Sequence, residues 1–403
     1  MEISREEKLL LALLSEGLKT KELTESAAMA ATDKRALKVM DWERLEKAAR
    51  RHSVLSLLYY PCMGTAAVPK AFKESVQREA KGIVLQSYRL LLAGRDMVEH
   101  LDRAGIPVAV LKGVAAARSY LEPELRKAGD IDLLVEPERL EEACKILEES
   151  GCRVAERQLA LHHVVLYTKE GVEIEVHTML AEPFDNEQIN SYLKRLLPEC
   201  LEHVVWRQIM GVEFPVLNYG CHAYELLLHM LQHFLRSGFG LRFLCDWVLL
   251  WREDVPKPER RRYLELVEKS RLKGFSDMVT LACCRYLGLE ESRVDWMEIP
   301  SQLKSKGFMK EVLEAEEFGK SSGERMVMLR RPGLAGYVLE FHHQMHLNFP
   351  KAGRWIPLWP ALWIATLIRF ERNNRRLRGI SGRTILRKAS ERSRVMEQMK
   401  LWK

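Results

Sequence analysis

Apolar positions in the first hundred residues recur at helical spacing, with Leu9, Leu10, Leu13 and Leu14 in one stripe and Leu45, Ala48 and Ala49 in another. The pattern predicts helices throughout, broken around Tyr59, Pro61 and Gly64. A longer helix is expected from about Pro69 towards His100, ended by Gly105, because glycine accepts the backbone that closes a helix C-terminus. Between residues 106 and 180 short apolar runs alternate with helical stretches, as in an α/β unit. Residues 107–111 (PVAVL) read as a buried strand, 114–121 as a short helix and 130–135 (DIDLLV) as a second strand. Pro137 then opens a helix with Leu140, Ala143, Cys144 and Leu147 on one face, stopping at Gly151. Residues 164–168 and 172–178 flank Lys169-Glu170-Gly171 and predict a hairpin. From about residue 218 the helical period returns, as in 224–235 and 241–251, and no internal repeat is found.

This pattern divides the chain into an N-terminal helical region (1–105), a small mixed-sheet domain (106–215), a C-terminal helical domain (216–350) and a basic, tryptophan-rich tail (351–403). The expected class is α+β. At 403 residues and 47% apolar content the chain can bury more than one core, which excludes disordered, collagen-like and small disulfide-rich classes. The net charge of +7 is uneven: residues 351–403 hold fourteen Lys or Arg and three Glu, so the body is mildly acidic. The eight cysteines form no CxxC pair and read as reduced core thiols. The charged N-terminus has too short an apolar run for a secretory signal, so a cytoplasmic protein is expected. The longest apolar run, 355–368, has fourteen residues and contains Pro357 and Pro360, short of the roughly twenty needed to span a bilayer. Two readings of this tail compete. It is a helix packed on the body with a solvated basic end, or it sits on an anionic membrane or nucleic acid.

Candidate chemistry concentrates in the mixed segment. Strand alternation turns Asp130 and Asp132 to one side and Ile131 and Leu133 to the other. Adjacent carboxylates repel unless a cation neutralises them, and Mg²⁺ prefers such hard oxygen ligands. The same alternation groups Glu173, Glu175 and His177. Lys112-Gly113, between strand and helix, suits a phosphate, and Arg126 offers a further cation. Singly, each motif has a plain structural reading: a solvated strand edge, a strand-ending glycine, a hairpin's solvent face. His229 and His233 lie four apart in HMLQH, but the glutamate of a zinc protease HExxH motif is missing, which favours a structural or substrate-contacting role. Arg242 and Asp246, also four apart, suit an ion pair on one helix face.

Taken together, Leu111-Lys112-Gly113, Arg126, the DIDLLV strand and Glu175-Val176-His177 resemble the nucleotidyltransferase superfamily with a DNA polymerase β type palm. Within it, the segment is most similar to the bacterial family of uncharacterised nucleotidyltransferases. The likeness extends to His229, His233, Arg242 and Asp246 and covers about 100–250. It implies a polymerase β-like palm flanked by helical domains, with Asp130, Asp132 and Glu175 as catalytic metal ligands for Mg²⁺ or Mn²⁺. It further implies an NTP substrate, ATP being the first expectation, with Lys112, Gly113, Arg126, His177, Arg242 and Asp246 on the nucleotide side. The implied reaction moves a nucleoside monophosphate to a hydroxyl or phosphate of a peptide, sugar or small molecule, as in natural product biosynthesis. Two alternatives are an accessory protein of the same fold that binds peptide, membrane or RNA, and a toxin-type enzyme acting on tRNA or protein. One departure is Val114, which follows Gly113 where the superfamily usually has glycine or serine, so a phosphate-contacting hydroxyl is absent and Lys112 is expected to compensate.

Overall fold

The computed structural model describes residues 3–19, 40–64, 66–158, 163–184, 186–236, 238–297, 305–315, 341–342, 345–346, 348–349, 352, 355–378, 397–399 and 401. Helix α1 (Arg5–Gly17) begins with a capping box, Ser4 accepting from the Glu7 N–H and the Glu7 carboxylate accepting from the Ser4 N–H. Asp41 caps α2 (Trp42–Arg51), and the short α3 (Tyr59–Met63) occupies the break expected there. Helix α4 (Lys70–Arg103) ends where expected: Gly105 takes a left-handed φ of +65°, and the Ile106 N–H reaches the Leu101 carbonyl at 3.0 Å.

Seven strands follow in a mixed sheet of order β3-β4-β5-β2-β1-β7-β6. They are β1 (Val108–Val110), β2 (Ile131–Val135), β3 (Arg153–Gln158), β4 (His163–Tyr167), β5 (Glu173–His177), β6 (Val205–Ile209) and β7 (Val212–Val216). Between them lie α5 (Lys112–Ala117), α6 (Leu140–Glu149) and α7 (Glu187–Glu202). The hairpin of β4 and β5 is present, and β2 pairs in parallel with β5 and antiparallel with β1. Beyond the sheet come α8 (Tyr219–Arg236), α9 (Leu241–Arg252), α10 (Lys257–Lys269), α11 (Lys273–Tyr286), α12 (Ser305–Ala315) and α13 (Trp359–Arg378).

The two faces of the sheet meet two cores. Val108, Val110, Ile131, Leu133, Ile174 and Val176 pack with Leu90, Leu91 and Val98 of α4 and with α6. The approach of α4 is close at Gly94, where a Cβ would come within 3.3 Å of Ile131 and Phe214 side chains. The alternate positions Ala109, Leu111 and Leu134 join a larger core that takes in α1, α2 and α8 to α12. Side chains from before and after the sheet therefore share one apolar interior, and Arg252 of α9 donates to the Leu18 carbonyl at 2.7 Å. The cysteines accord with reduced core thiols: all eight are free, seven of them buried.

Helix α13 is covered on one side and open on another. Thr366 is buried, but Ile364, Leu367 and Ile368 are more than half exposed. A run apolar on every side carries no period to indicate which side is covered. Among the described residues no helix is long and apolar enough to cross a membrane.

Candidate active site

The carboxylates gather on the sheet face that meets the helical core. Parallel pairing of β2 with β5 sets Asp132 opposite Glu175, and alternation puts Glu173 and His177 on the same side. Asp130 lies one residue before β2, half-buried at the entry to the strand. Two groups of ligand atoms lie close enough to share a metal ion: Asp132, Glu175 and His177, and Asp130, Glu173 and Glu175, each within 4.8 Å of one another. Four carboxylates with Glu175 common to both groups form a hard oxygen donor set that fits Mg²⁺ or Mn²⁺. Neither His229 nor His233 belongs to a metal-holding group among the described residues.

Two basic side chains already serve Asp132. Lys112 Nζ and His177 Nε2 each stand 2.8 Å from its Oδ1, and the same His177 nitrogen is 3.2 Å from Glu175 Oε2. Burial raises the Asp132 carboxyl, but Lys112 and the hydrogen bond from His177 outweigh it and hold the group well below the usual range. The His177 hydrogen bond lowers Glu175, against burial. Burial and Lys112 act to lower His177, yet its two carboxylate partners keep it raised. Asp130 lies outside these bonds: burial and then the Asp132 charge push it up to about 7, opposed by Lys112 and Arg242. The turn that delivers Lys112 is strained. Its φ is +39°, left-handed for a residue with a Cβ, and the Leu111 N–H bonds the Asp132 carbonyl at 2.9 Å, tying the turn to β2. Gly113 follows in the first turn of α5 and, with Val114, is buried.

Arg126 stands beside Gly113, its Nη1 3.9 Å from where a Cβ on that glycine would lie, and is held by an acid. It is 2% exposed, and its Nε and Nη2 donate to the two Asp246 oxygens at 2.8 and 2.7 Å, while the Tyr120 hydroxyl donates to Asp246 at 2.7 Å. This fork spans the loop before β2 and helix α9, so the charge expected at a phosphate is matched within the protein. Arg242 is buried nearer the acids. Its guanidinium lies 5.0 Å from the centre of the Phe243 ring and acts electrostatically on Asp130.

His229 and His233 both pack against Phe243. The His229 ring stacks on Phe243 at 5.1 Å and 27°, and the two imidazoles are 4.5 Å apart, edge to face. Burial and then Lys112 lower both, His233 to about 4, so both are neutral at pH 7. Glu225, fully buried in α8, is a further acid here; burial pushes it up to about 8 against the pull of Lys112. It was missed in the sequence, though a signal exists. His222, Glu225, His229 and His233 recur every three or four residues along a mostly apolar α8, a polar stripe that a buried helix keeps only when the stripe has polar company.

The profile of the family described as uncharacterised nucleotidyltransferase matches residues 38–288. No curated protein matches the sequence significantly. Solved structures align at low identity. An antigenic nucleotidyltransferase-like protein from Paracoccidioides brasiliensis is 15% identical, with a TM-score of 0.31, covering 50% of this chain and 93% of that one. The Thermotoga maritima CCA-adding enzyme, complexed with tRNA, is 14% identical with a TM-score of 0.20, covering 80% and 84%.

Proposed function

Because the chain belongs to the uncharacterised nucleotidyltransferase family, we propose that it moves a nucleoside monophosphate from an NTP to an acceptor hydroxyl or phosphate and releases pyrophosphate. The observation that carries this reading is the oxygen-donor cluster of Asp130, Asp132, Glu173 and Glu175 on adjoining strands. Asp130, Asp132 and Glu175 hold the divalent ions, with Mg²⁺ or Mn²⁺ the fitting choices. Bound there, such ions neutralise the triphosphate and the charge that develops on the attacking and leaving oxygens. Lys112 and His177 act as counter-ions when the carboxylates lack another partner. With those carboxylates engaged elsewhere, the Lys112 ammonium turns to the β and γ phosphates and His177 orients Glu175. Arg242, beside Asp130, supplies the second phosphate cation, and the Arg126–Asp246 fork keeps the loop ahead of Asp130 in place. The base approaches His229 and His233, both partly exposed, whose neutral imidazoles, backed by the buried Phe243, suit a nucleobase.

Incubation with α-labelled NTPs and fractionated lysate, tRNA included, tests the reaction. Pyrophosphate release and label transfer that need Mg²⁺ or Mn²⁺ are expected, with ATP tried first. In His233→Ala, which removes a partly exposed ring, the nucleotide KM rises about tenfold, the worth of one stacked base. No release with any NTP contradicts the proposal.

Metal affinity should follow Asp130. An ion requires its ionised form, so apparent Mn²⁺ affinity rises with pH and levels off above about 7. Below that the loss is about tenfold per pH unit, because proton and ion compete for one carboxylate. Calorimetric Mn²⁺ titrations at a series of pH values check this, and a flat profile contradicts it.

A further inference from the structure

Among the described residues, six of the eleven exposed large apolar side chains lie on the tail. Trp355, Ile356 and Leu358, in and just before the turn Ile356–Leu358, are exposed by 69, 66 and 46%. On α13, Ile364, Leu367 and Ile368 are exposed by 61, 54 and 60% at spacing i, i+3, i+4, which puts them on one side of the helix. The opposite side is held down. Thr366 is 2% exposed, the Trp363 Nε1 donates to His342 Nδ1 at 3.3 Å, and the Trp359 ring lies 4.6 Å from that of His342. One face of the helix is thus covered, with His342 as a partner, and an apolar face is offered outward, larger than scattered surface residues account for.

Charge selects the occupant. Residues 351–403 carry fourteen Lys or Arg against three Glu, and Arg369, beside the apolar face, is exposed. A second copy of the chain would bring the same excess of positive charge to the contact. A nucleic acid would satisfy the arginines and leave the isoleucines and leucines in water. An anionic lipid surface satisfies both: apolar side chains enter the headgroup boundary, tryptophans sit at its level and arginines meet phosphates.

We propose that residues 355–378 are an interfacial anchor by which this protein docks on an anionic membrane, α13 lying in its plane with Ile364, Leu367 and Ile368 inserted. The anchor is independent of the transfer reaction and places it at a lipid surface.

Sedimentation of the full chain with vesicles tests this. Binding is expected to vesicles of phosphatidylcholine containing a third phosphatidylglycerol, and little to phosphatidylcholine alone. Ile364→Ser/Leu367→Ser/Ile368→Ser removes only exposed side chains, so the fold should persist by circular dichroism, while the partition coefficient falls about a hundredfold or more. Equal binding of this variant overturns the proposal, as does failure of the wild type to bind anionic vesicles. Tight tRNA binding without vesicle binding, or a dimer that dissociates in the variant by light scattering, assigns the face to another partner and equally overturns it.

Discussion

Asp130→Asn should cost nucleotidyl transfer about a thousandfold while making the metal-free protein more stable at pH 8. The two effects have one cause. Asp130 is raised from about 3.8 to about 7 by burial and the neighbouring Asp132 charge, so the folded state holds a proton that the unfolded chain has released. Its contribution is complete below about pH 4 and lost as pH rises through about 7; above that, the ionised carboxylate opposes folding. Asparagine keeps the shape without the charge. A stability gain of about 2–4 kcal/mol at pH 8, and almost none at pH 4, is expected from denaturant unfolding without added metal. Asp132→Asn should behave oppositely, because it strands Lys112 and His177 beside a neutral amide. A loss of stability for Asp130→Asn at both pH values contradicts this account of the site.

Arg126→Ala or Asp246→Ala should each destabilise the fold by about 3–5 kcal/mol, because either leaves its partner as a buried charge. Arg126→Lys rescues little, since an ammonium cannot make the paired contacts to both Asp246 oxygens. The paired change Arg126→Met/Asp246→Leu, which leaves no charge behind, should recover most of the loss. Chemical denaturation of the four variants reads these values directly. If Arg126→Ala keeps wild-type stability and only weakens NTP binding, Arg126 belongs to the phosphate site and not to the loop.

The difference between these two residues shows what a sequence carries. Asp132, Glu175 and His177 were legible because strand alternation is a local rule, and it assigns a face to every residue once the strand is known. Asp130 was placed on the strand, and its position one residue earlier leaves it half-buried with a raised pKa. The partner of Arg126 lies 120 residues away, and no local period joins them. Strand β3 was missed because Arg153, Glu156 and Arg157 give it the charge of a loop, as suits an edge strand. The hairpin of β6 and β7 went unseen although Met210-Gly211, with φ of +51° and +83°, forms its two-residue turn, because Pro215 argues against a strand.

In the proposed reaction Asp130, Asp132 and Glu175 bind a nucleoside triphosphate through a divalent ion. Calorimetric titration with a non-hydrolysable NTP analogue, with and without Mn²⁺, on wild type and Asp130→Asn tests it most directly. Binding is expected to require Mn²⁺ in the wild type and to be lost in the variant. Binding that is the same without the ion, or that survives in Asp130→Asn, would contradict it.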